Sequence, residues 1–373
     1  MFFILGICIA LFLVFLLLIK KNKSRADKVL AIWLFLMVIH QALYYHLITG
    51  QSFEFPHILG VILPLPLLHG VLLYFYVLEA TGKGRIQTRI RLLHFLPALL
   101  LTVLAIPFFI LSGEQKVFVF QNDGIGFEWY LLIHQGMMLI CGFGYSIWTL
   151  FLIRKHQKDI QTSFSNTDKK ELNWLRYLSI GLGMIWILAI FFDELVIFSS
   201  IVVFVLFIGV FGINQMRIFN TDTNDQSPSG DKANDTHQQT SNQDEKKRYA
   251  KSGLNEEMSD SIYGKLNQVM PKESLYKKDD LTLSLLAKRL DVHPNHLSQV
   301  INEKEEKNFY NYINSLRIKE FIRLASLPEN EKFTLISLAY DCGFNSKSTF
   351  NKHFKSYTTK TPSDFFKDQK AAI

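Results

Sequence analysis

Long apolar runs dominate the first 217 residues of the chain. A helix needs about 20 consecutive apolar residues to cross a bilayer, because each residue adds about 1.5 Å. The pattern therefore predicts seven membrane-spanning helices, at residues 2–19, 29–49, 58–78, 92–111, 129–153, 174–192 and 195–216. Pro64 and Pro66 are expected to kink the third of them.

Positive charge is distributed unevenly between the loops that join these runs. A cleavable signal peptide carries its charge before the apolar run, whereas here the lysines follow it, so the first run is expected to remain in the membrane. Lys and Arg accumulate on the cytoplasmic side. The loops assigned inside contain Lys20, Lys21, Lys23, Arg25, Lys28, Lys83, Arg85, Arg89, Arg91, Arg154, Lys155, Lys158, Lys169 and Lys170, whereas those assigned outside contain only Lys116. This bias predicts a multi-pass membrane protein with the N-terminus outside and the C-terminal part in the cytoplasm.

Three histidines fall at membrane depth in the predicted bundle: His40, His69 and His134. Ionisable groups are costly inside a bilayer and tend to mark functional sites. One interpretation is a ligand or proton site that serves as a sensor. The other is that these side chains form hydrogen bonds between helices or lie at the membrane interface.

Residues 218–253 form a polar stretch with almost no apolar side chains. Such a composition cannot bury enough surface to offset the entropy of ordering, so a disordered cytoplasmic linker is predicted. A flexible chain of this length typically spans roughly 30 Å.

A different pattern follows the linker, in which apolar residues recur at helical spacing in two similar units. The small residues Ala287 and Ala339 are placed where two helices must cross closely, and the second unit has Gly343 in its turn. Residues 309–326 have a helical period and are expected to form one rigid helix between the units. Pro294 opens the second helix of the first unit, and Ser346 is an N-cap for that of the second.

These residues resemble the DNA-binding domain of the AraC/XylS family of bacterial transcription regulators. The resemblance covers roughly residues 255–368 and is carried by Ala339, Gly343, Phe344, Ser346, Phe350, Phe354, Thr361 and Pro362. It implies two helix-turn-helix units that place their recognition helices in successive major-groove segments of duplex DNA. The implied base-reading residues are Asn295, Ser298, Gln299, Lys347, Ser348, Thr349 and Lys352. The chain departs from the family at Glu306 and Thr359, where the family usually has glycine.

Neither charge nor cysteine content indicates another chemistry. The net charge of +7 is modest. The three cysteines have neither disulfide nor metal-ligand spacing. We find no catalytic constellation, and we expect no metal, no cofactor and no enzymatic activity.

Together these patterns predict an all-α protein with a membrane domain at residues 1–217, a linker at 218–253 and a DNA-binding domain at 254–373. With the resemblance to bacterial regulators, the predicted function is that of a transcription regulator tethered in a bacterial inner membrane, whose bundle senses an unknown ligand or membrane signal. Its expected partners are duplex DNA, the lipid bilayer and a second copy in a homodimer. Two alternatives stay open: a membrane enzyme or transporter with a regulatory appendage, and a scaffold whose helix-turn-helix fold binds protein. Release of the domain by proteolysis in the linker is a variant of the main interpretation.

Overall fold

The computed structural model describes residues 2–84, 86–168, 171–221 and 254–371. The described residues form helices, with no strand beyond one isolated bridge between Phe164 and Thr282. They divide into two compact units, one from residues 1–155 and 172–226 and the other from residues 156–171 and 227–373. The predicted linker lies outside the described residues from position 222 onward, as do Arg85, Lys169 and Lys170.

The first unit contains ten helices within its described residues. We number them in chain order: α1 Phe2–Ile19, α2 Arg25–Ile48, α3 Leu65–Ala80, α4 Thr88–Leu93, α5 Leu96–Leu104, α6 Ile106–Phe109, α7 Gly113–Gln121, α8 Glu128–Ser163, α9 Asn173–Phe191 and α10 Glu194–Thr221. Helix α8 continues past the boundary between the units. Helix α1 packs on α2 and α10, α2 packs on α3, and α9 packs on α10. Trp33, Leu73 and Val202 are completely buried in this core.

Five of these helices are long and apolar enough to cross a membrane: α1, α2, α8, α9 and α10. The predicted count of seven is therefore not confirmed. The third predicted span begins as turns and becomes the shorter apolar helix α3 only after Pro64. The fourth is divided into α4, α5 and α6, and α5 and α6 each have a proline near the start, Pro97 and Pro107. Proline lacks the N–H that a continuous helix needs, so these positions favour helix starts over helix interiors.

The second unit contains seven further helices within its described residues: α11 Glu256–Glu273, α12 Leu283–Leu290, α13 Pro294–Glu305, α14 Phe309–Ala325, α15 Leu335–Asp341, α16 Lys347–Thr358 and α17 Pro362–Ala371. They surround two apolar cores, and α14 contributes to both. Phe309 and Ile313 belong to the first core, with α11, α12 and α13. Ile318 and Phe321 belong to the second, with α15 and α16. The predicted linking helix is thus shared by both helix-turn-helix units.

Local capping explains where several of these helices begin and end. The hydroxyl oxygen of Ser346 accepts a hydrogen bond from the Thr349 N–H at 3.2 Å, and that of Thr361 accepts one from the Asp364 N–H at 3.3 Å. The cap predicted at Ser346 is confirmed. Glu306 and Thr359, which replace the family's glycines, follow α13 and α16 with φ of 53° and 66°. Both residues occupy the left-handed region, which is costly for a residue with a Cβ.

Candidate DNA interface and candidate ligand cavity

The first helix-turn-helix unit is formed by α12 and α13. Ala287 is completely buried where α12 packs on α13, as its small size predicts. Pro294 occupies the first turn of α13, and the Nδ1 atom of His293 accepts a hydrogen bond from the Asn295 N–H at 3.2 Å. An imidazole nitrogen therefore replaces the hydroxyl oxygen that usually caps such a helix.

The three base-reading candidates on α13 are not equally accessible. Asn295 is exposed and Ser298 is partly exposed. Gln299 is only 6% exposed, and its Nε2 atom donates a hydrogen bond to Glu303 Oε1 at 2.8 Å. The prediction that Gln299 lies on the exposed face therefore differs from its position in this structure. The helical period places it next to Val300, at the edge of the buried face.

The turn of the second unit depends on Gly343. Its φ is +96°, and a Cβ at this position would lie 2.6 Å from the carbonyl oxygen of Lys277. Both backbone conformation and space therefore require glycine here. Ala339, one turn earlier, is completely buried and permits the close helix crossing. These two residues set the direction in which α16 leaves the turn.

Helix α16 presents most of its predicted base-reading residues to solvent. Lys347, Ser348 and Lys352 are exposed. Thr349 is partly exposed, and its hydroxyl donates a short hydrogen bond to the Asp168 carboxylate. Asp168 belongs to residues 156–171, which pack within the second unit. A carboxylate that no sequence pattern indicated therefore lies on the candidate DNA-binding face.

Arg317, on α14, connects several segments of this unit. It is 1% exposed, and burial lowers the pKa of its guanidinium to about 10. Its donors reach the carbonyl oxygens of Tyr276 at 2.6 Å, Lys278 at 2.8 Å and Ser165 at 3.1 Å. They also reach Asn314 Oδ1 at 3.1 Å and the Ser165 hydroxyl at 3.2 Å. A guanidinium has five N–H donors, so all five are satisfied. Arg317 is therefore a structural residue.

His353 lies on α16, one residue after Lys352. Burial lowers the pKa of its imidazole to about 4, and the nearby charges of Lys352 and Arg317 act in the same direction. The ring packs against the rings of Tyr310 and Phe344. His353 is therefore neutral near pH 7 and supports the helix rather than contacting DNA.

The three histidines predicted at membrane depth line one cavity of about 530 Å³ in the first unit. Most of its lining is apolar. His134 Nε2 lies 2.7 Å from the carbonyl oxygen of Leu63, which fixes that nitrogen as the donor. The three histidines were predicted from the sequence, but their common cavity was not, because it depends on how α2, α3 and α8 pack.

A short chain of hydrogen bonds determines which histidine nitrogens of this cavity carry a proton. Trp33 Nε1 donates to His69 Nδ1 at 3.1 Å, and His69 Nε2 lies 2.9 Å from His40 Nδ1. Trp33 can only donate, so a neutral His69 carries its proton on Nε2 and gives that hydrogen bond to His40. His40 then carries its own proton on Nε2. The cavity lining also includes Trp186, whose buried indole N–H has no hydrogen-bond partner among the described residues. This arrangement of hydrogen bonds therefore favours a ligand that accepts hydrogen bonds.

No group of three or more His, Cys, Asp or Glu side chains is arranged to hold a metal ion within the described ranges. The three cysteines are unpaired, and Cys342 is completely buried in the second core.

Comparison with known proteins agrees with the geometry of the second unit. Residues 286–368 match the model of the family described as "Helix-turn-helix domain". Over 107 residues, the chain is 32% identical to an uncharacterized HTH-type transcriptional regulator of Staphylococcus aureus (strain COL), covering 29% of this chain and 14% of that protein. Over 113 residues, it is 28% identical to the Msm operon regulatory protein of Streptococcus mutans serotype c, covering 30% of this chain and 40% of that protein.

These similarities establish a C-terminal helix-turn-helix domain of the AraC type, which supports DNA binding and transcription regulation. These relatives carry the names of regulatory proteins. The chain spans about a seventh of the length of the first relatives that it matches. No solved structure matches the chain.

Proposed function

We propose that the protein is a membrane-tethered transcription regulator that binds specific DNA sequences. The observation that supports this most strongly is the sharing of α14 by both cores of the second unit. A helix that is buried in both cores fixes the distance between α13 and α16. Two recognition helices at a fixed distance can read two sites on one side of a duplex, about 34 Å apart.

In this proposal the two recognition helices make different contacts. Asn295 and Ser298 on α13 carry neutral hydrogen-bonding groups suited to base edges. Lys347, Ser348 and Lys352 on α16 add two positive charges, which suit guanine or phosphate contacts. Gln299 joins the interface only after its side chain leaves Glu303. Thr349 joins it only after its hydroxyl leaves Asp168.

The apolar helices of the first unit serve as the membrane anchor in this proposal. Counts of five and of seven spans are both odd, so either places the chain before α1 and the chain after α10 on opposite sides. The basic residues near the ends of the helices then favour a cytoplasmic C-terminal domain. Large side chains on the helix surfaces, such as Leu132 and Ile140, are mostly exposed, as expected for contact with lipid.

We assign the sensor role to the cavity lined by His40, His69 and His134. Its apolar walls and N–H donors favour a small, uncharged and mostly apolar ligand that carries a hydrogen-bond acceptor, such as a carbonyl oxygen. A matched pair of probes tests this assignment: 2-nonanone should quench the fluorescence of purified protein at lower concentration than nonane. Substitution of Trp186→Phe should reduce that difference. Equal affinity for the two probes would contradict the assignment.

The cavity also favours the alternative of a membrane enzyme or transporter, because a volume of 530 Å³ is large enough for a small substrate. Turnover or transport by reconstituted protein in the absence of DNA would support that alternative. Homodimer formation remains a prediction.

Membrane attachment and DNA recognition can be tested together in cells. Cells that express the tagged protein are cross-linked, membranes are separated by flotation, and the DNA recovered with the protein is sequenced. The proposal predicts protein in the membrane fraction and DNA enriched in a shared motif with two short boxes. Random DNA, or protein found only in the soluble fraction, would contradict it. The Lys352→Ala variant serves as the control that should lose enrichment but keep its membrane location.

A further inference from the structure

Residues 164–168 connect the region between α8 and α9 to the helix-turn-helix domain. Phe164 forms an antiparallel bridge with Thr282, the N-cap of α12. The adjacent Ser165 N–H donates to the Leu281 carbonyl oxygen at 3.1 Å. We call residues 164–168 the docking segment. It pairs with the domain through its backbone at this end, and the pairing does not require specific side chains.

The middle of the docking segment is held by α14. The carbonyl oxygen of Ser165 accepts hydrogen bonds from Arg317 Nη1 at 3.1 Å and from Asn314 Nδ2 at 3.3 Å. Ser165 is 1% exposed, Asn314 is completely buried, and Thr167 is also completely buried. A buried backbone oxygen with two side-chain donors, one of them charged, is typical of a built contact rather than of a loop lying on a surface.

The far end of the docking segment reaches the second recognition helix. The Thr349 hydroxyl on α16 donates to Asp168 Oδ1, whereas the buried Oδ2 has no hydrogen-bond partner among the described residues. Thr349 lies on the same helix as the exposed lysines Lys347 and Lys352. Bound DNA would bring its phosphates toward this helix, and a carboxylate there would repel them.

We propose that the docking segment is an internal ligand of the helix-turn-helix domain that competes with DNA for α16. This inference rests on the proposed DNA-binding function and names how it is regulated. With the segment docked, Thr349 is occupied by Asp168 and the face of α16 carries an additional negative charge. With the segment released, the Thr349 hydroxyl loses its Asp168 acceptor and can turn toward DNA. The half-satisfied Asp168 carboxylate makes this end of the contact the easier one to open.

The position of the docking segment in the chain would couple this contact to the apolar helices α8 and α9. It lies between α8 and α9, two helices long and apolar enough to cross a membrane. Both helices also line the cavity that we assign to the ligand, through His134 on α8 and Trp186 on α9. A change in how these helices pack around a ligand would pull on both ends of the segment. A ligand can shift this equilibrium only by as much as it prefers one state.

A charge-matched pair of variants tests the competition in the full-length protein, purified in detergent. Asp168→Ala removes the carboxylate that contacts Thr349. Asp280→Ala removes one exposed carboxylate from the same domain without touching that contact. We expect Asp168→Ala to bind its selected DNA site about five- to tenfold more tightly than the wild type, a ratio typical of coupled sites. The affinity of Asp280→Ala should change by less than about twofold. Equal effects of the two variants would overturn the proposal, because they would indicate general electrostatics alone.

A reversible cross-link provides a second test that does not depend on charge. Phe164 and Thr282 are a directly opposed pair in which the neighbouring residues make the hydrogen bond, the arrangement with the closest side chains. The Phe164→Cys and Thr282→Cys double variant, with Cys8→Ser and Cys141→Ser, should form an intramolecular disulfide on oxidation. Oxidised protein should bind DNA at least about fivefold more weakly, and reduction should restore binding. The reduced form of each sample thus serves as the control for its oxidised form.

The outcomes separate this inference from the proposed function. If oxidised and reduced protein bind the site equally well, the docking segment does not compete with DNA and the regulator proposal still stands. If the disulfide forms only between two chains, the segment belongs to a dimer contact and the internal ligand is contradicted. If neither form selects any DNA sequence, the proposed function fails and the inference fails with it.

Discussion

The guanidinium of Arg317 is the most connected polar group of the helix-turn-helix domain, and its replacement by methionine should be strongly destabilising. Arg317→Met keeps an unbranched apolar stem, although a shorter one, and removes five donated hydrogen bonds. It also leaves the part-buried carbonyl oxygens of Tyr276 and Lys278 without a charged donor. The substitution has one compensating benefit, since no charge then has to be buried.

The magnitude follows from these two opposing effects. Hydrogen bonds to charged groups contribute about 1.5 kcal/mol each at the low end of their range. The guanidinium pKa falls from 12.5 to about 10, which corresponds to a burial cost of about 3.4 kcal/mol at about 1.36 kcal/mol per pKa unit. Five bonds at the low value, less that cost, leave a net loss of about 4 kcal/mol in the free energy of unfolding of the domain.

The buried thiol of Cys342 offers an assay that is specific to this domain. It is completely buried in the second core and becomes reactive only when that core opens. In protein with Cys8→Ser and Cys141→Ser, the rate of thiol labelling is measured against urea concentration at constant pH. We expect Arg317→Met to shift the opening free energy by about 4 kcal/mol. The control Arg323→Met removes an arginine that is 58% exposed and bonded to Glu320, and should cost less than about 1 kcal/mol. A loss below about 1 kcal/mol for Arg317→Met would refute the reasoning.

Three further predictions follow from the second helix-turn-helix unit. Lys352→Ala should weaken binding to the selected DNA site by about 1–3 kcal/mol, measured by fluorescence anisotropy; unchanged affinity would exclude Lys352 as a contact. Gly343→Ala should destabilise the domain by about 2 kcal/mol or more in the labelling assay, because its Cβ would meet the Lys277 carbonyl at 2.6 Å in a left-handed conformation; full stability would contradict that geometry. Burial lowers the His353 pKa from 6.5 to about 4, so between these pH values the unfolded chain binds more protons than the folded chain. The contribution of His353 to stability should therefore be complete above pH 6.5 and be lost on acidification toward pH 4, by on the order of 3 kcal/mol. His353→Gln should flatten that dependence in urea titrations followed by circular dichroism, and an unchanged slope would assign it to other groups.

The helix-turn-helix units were largely predictable because their constraints are local. Ala287 and Ala339 mark helix crossings by size, Gly343 marks the turn by conformation, and Ser346 marks a helix start by its hydroxyl. Each of these constraints acts within a few residues of the chain. The exposure of Gln299 was harder to predict. It lies at the edge of the buried face, where the helical period alone does not determine whether a side chain is exposed or buried.

The contact of the docking segment could not be derived from the sequence. Ser165 and Arg317 are separated by 152 residues, and the acceptor is mainly a backbone oxygen, which every residue has. Asp168 stands in a short polar stretch that has the composition of any loop.

The number of membrane-spanning helices was predicted from apolar length alone, a rule that fails where proline interrupts a helix. Apolar length alone predicts a continuous helix at residues 92–111, but Pro97 and Pro107 each begin a new helix there. The histidines were found because ionisable residues are rare in apolar runs. Their common cavity was not predictable, because it depends on the packing of three helices that are distant in the chain.

The proposed function requires that two recognition helices at a fixed distance read one DNA site. Its most direct test is selection of bound sequences from a random duplex pool by the full-length protein in detergent, at near-physiological salt. The Asp168→Ala variant is selected in parallel, so that a docked wild type does not hide binding. We expect enrichment of one site with two short boxes about one helical turn apart, the same for both proteins and stronger for the variant. Absence of enrichment in both, with binding that moderate salt abolishes, would contradict the account, since phosphate attraction alone behaves in that way.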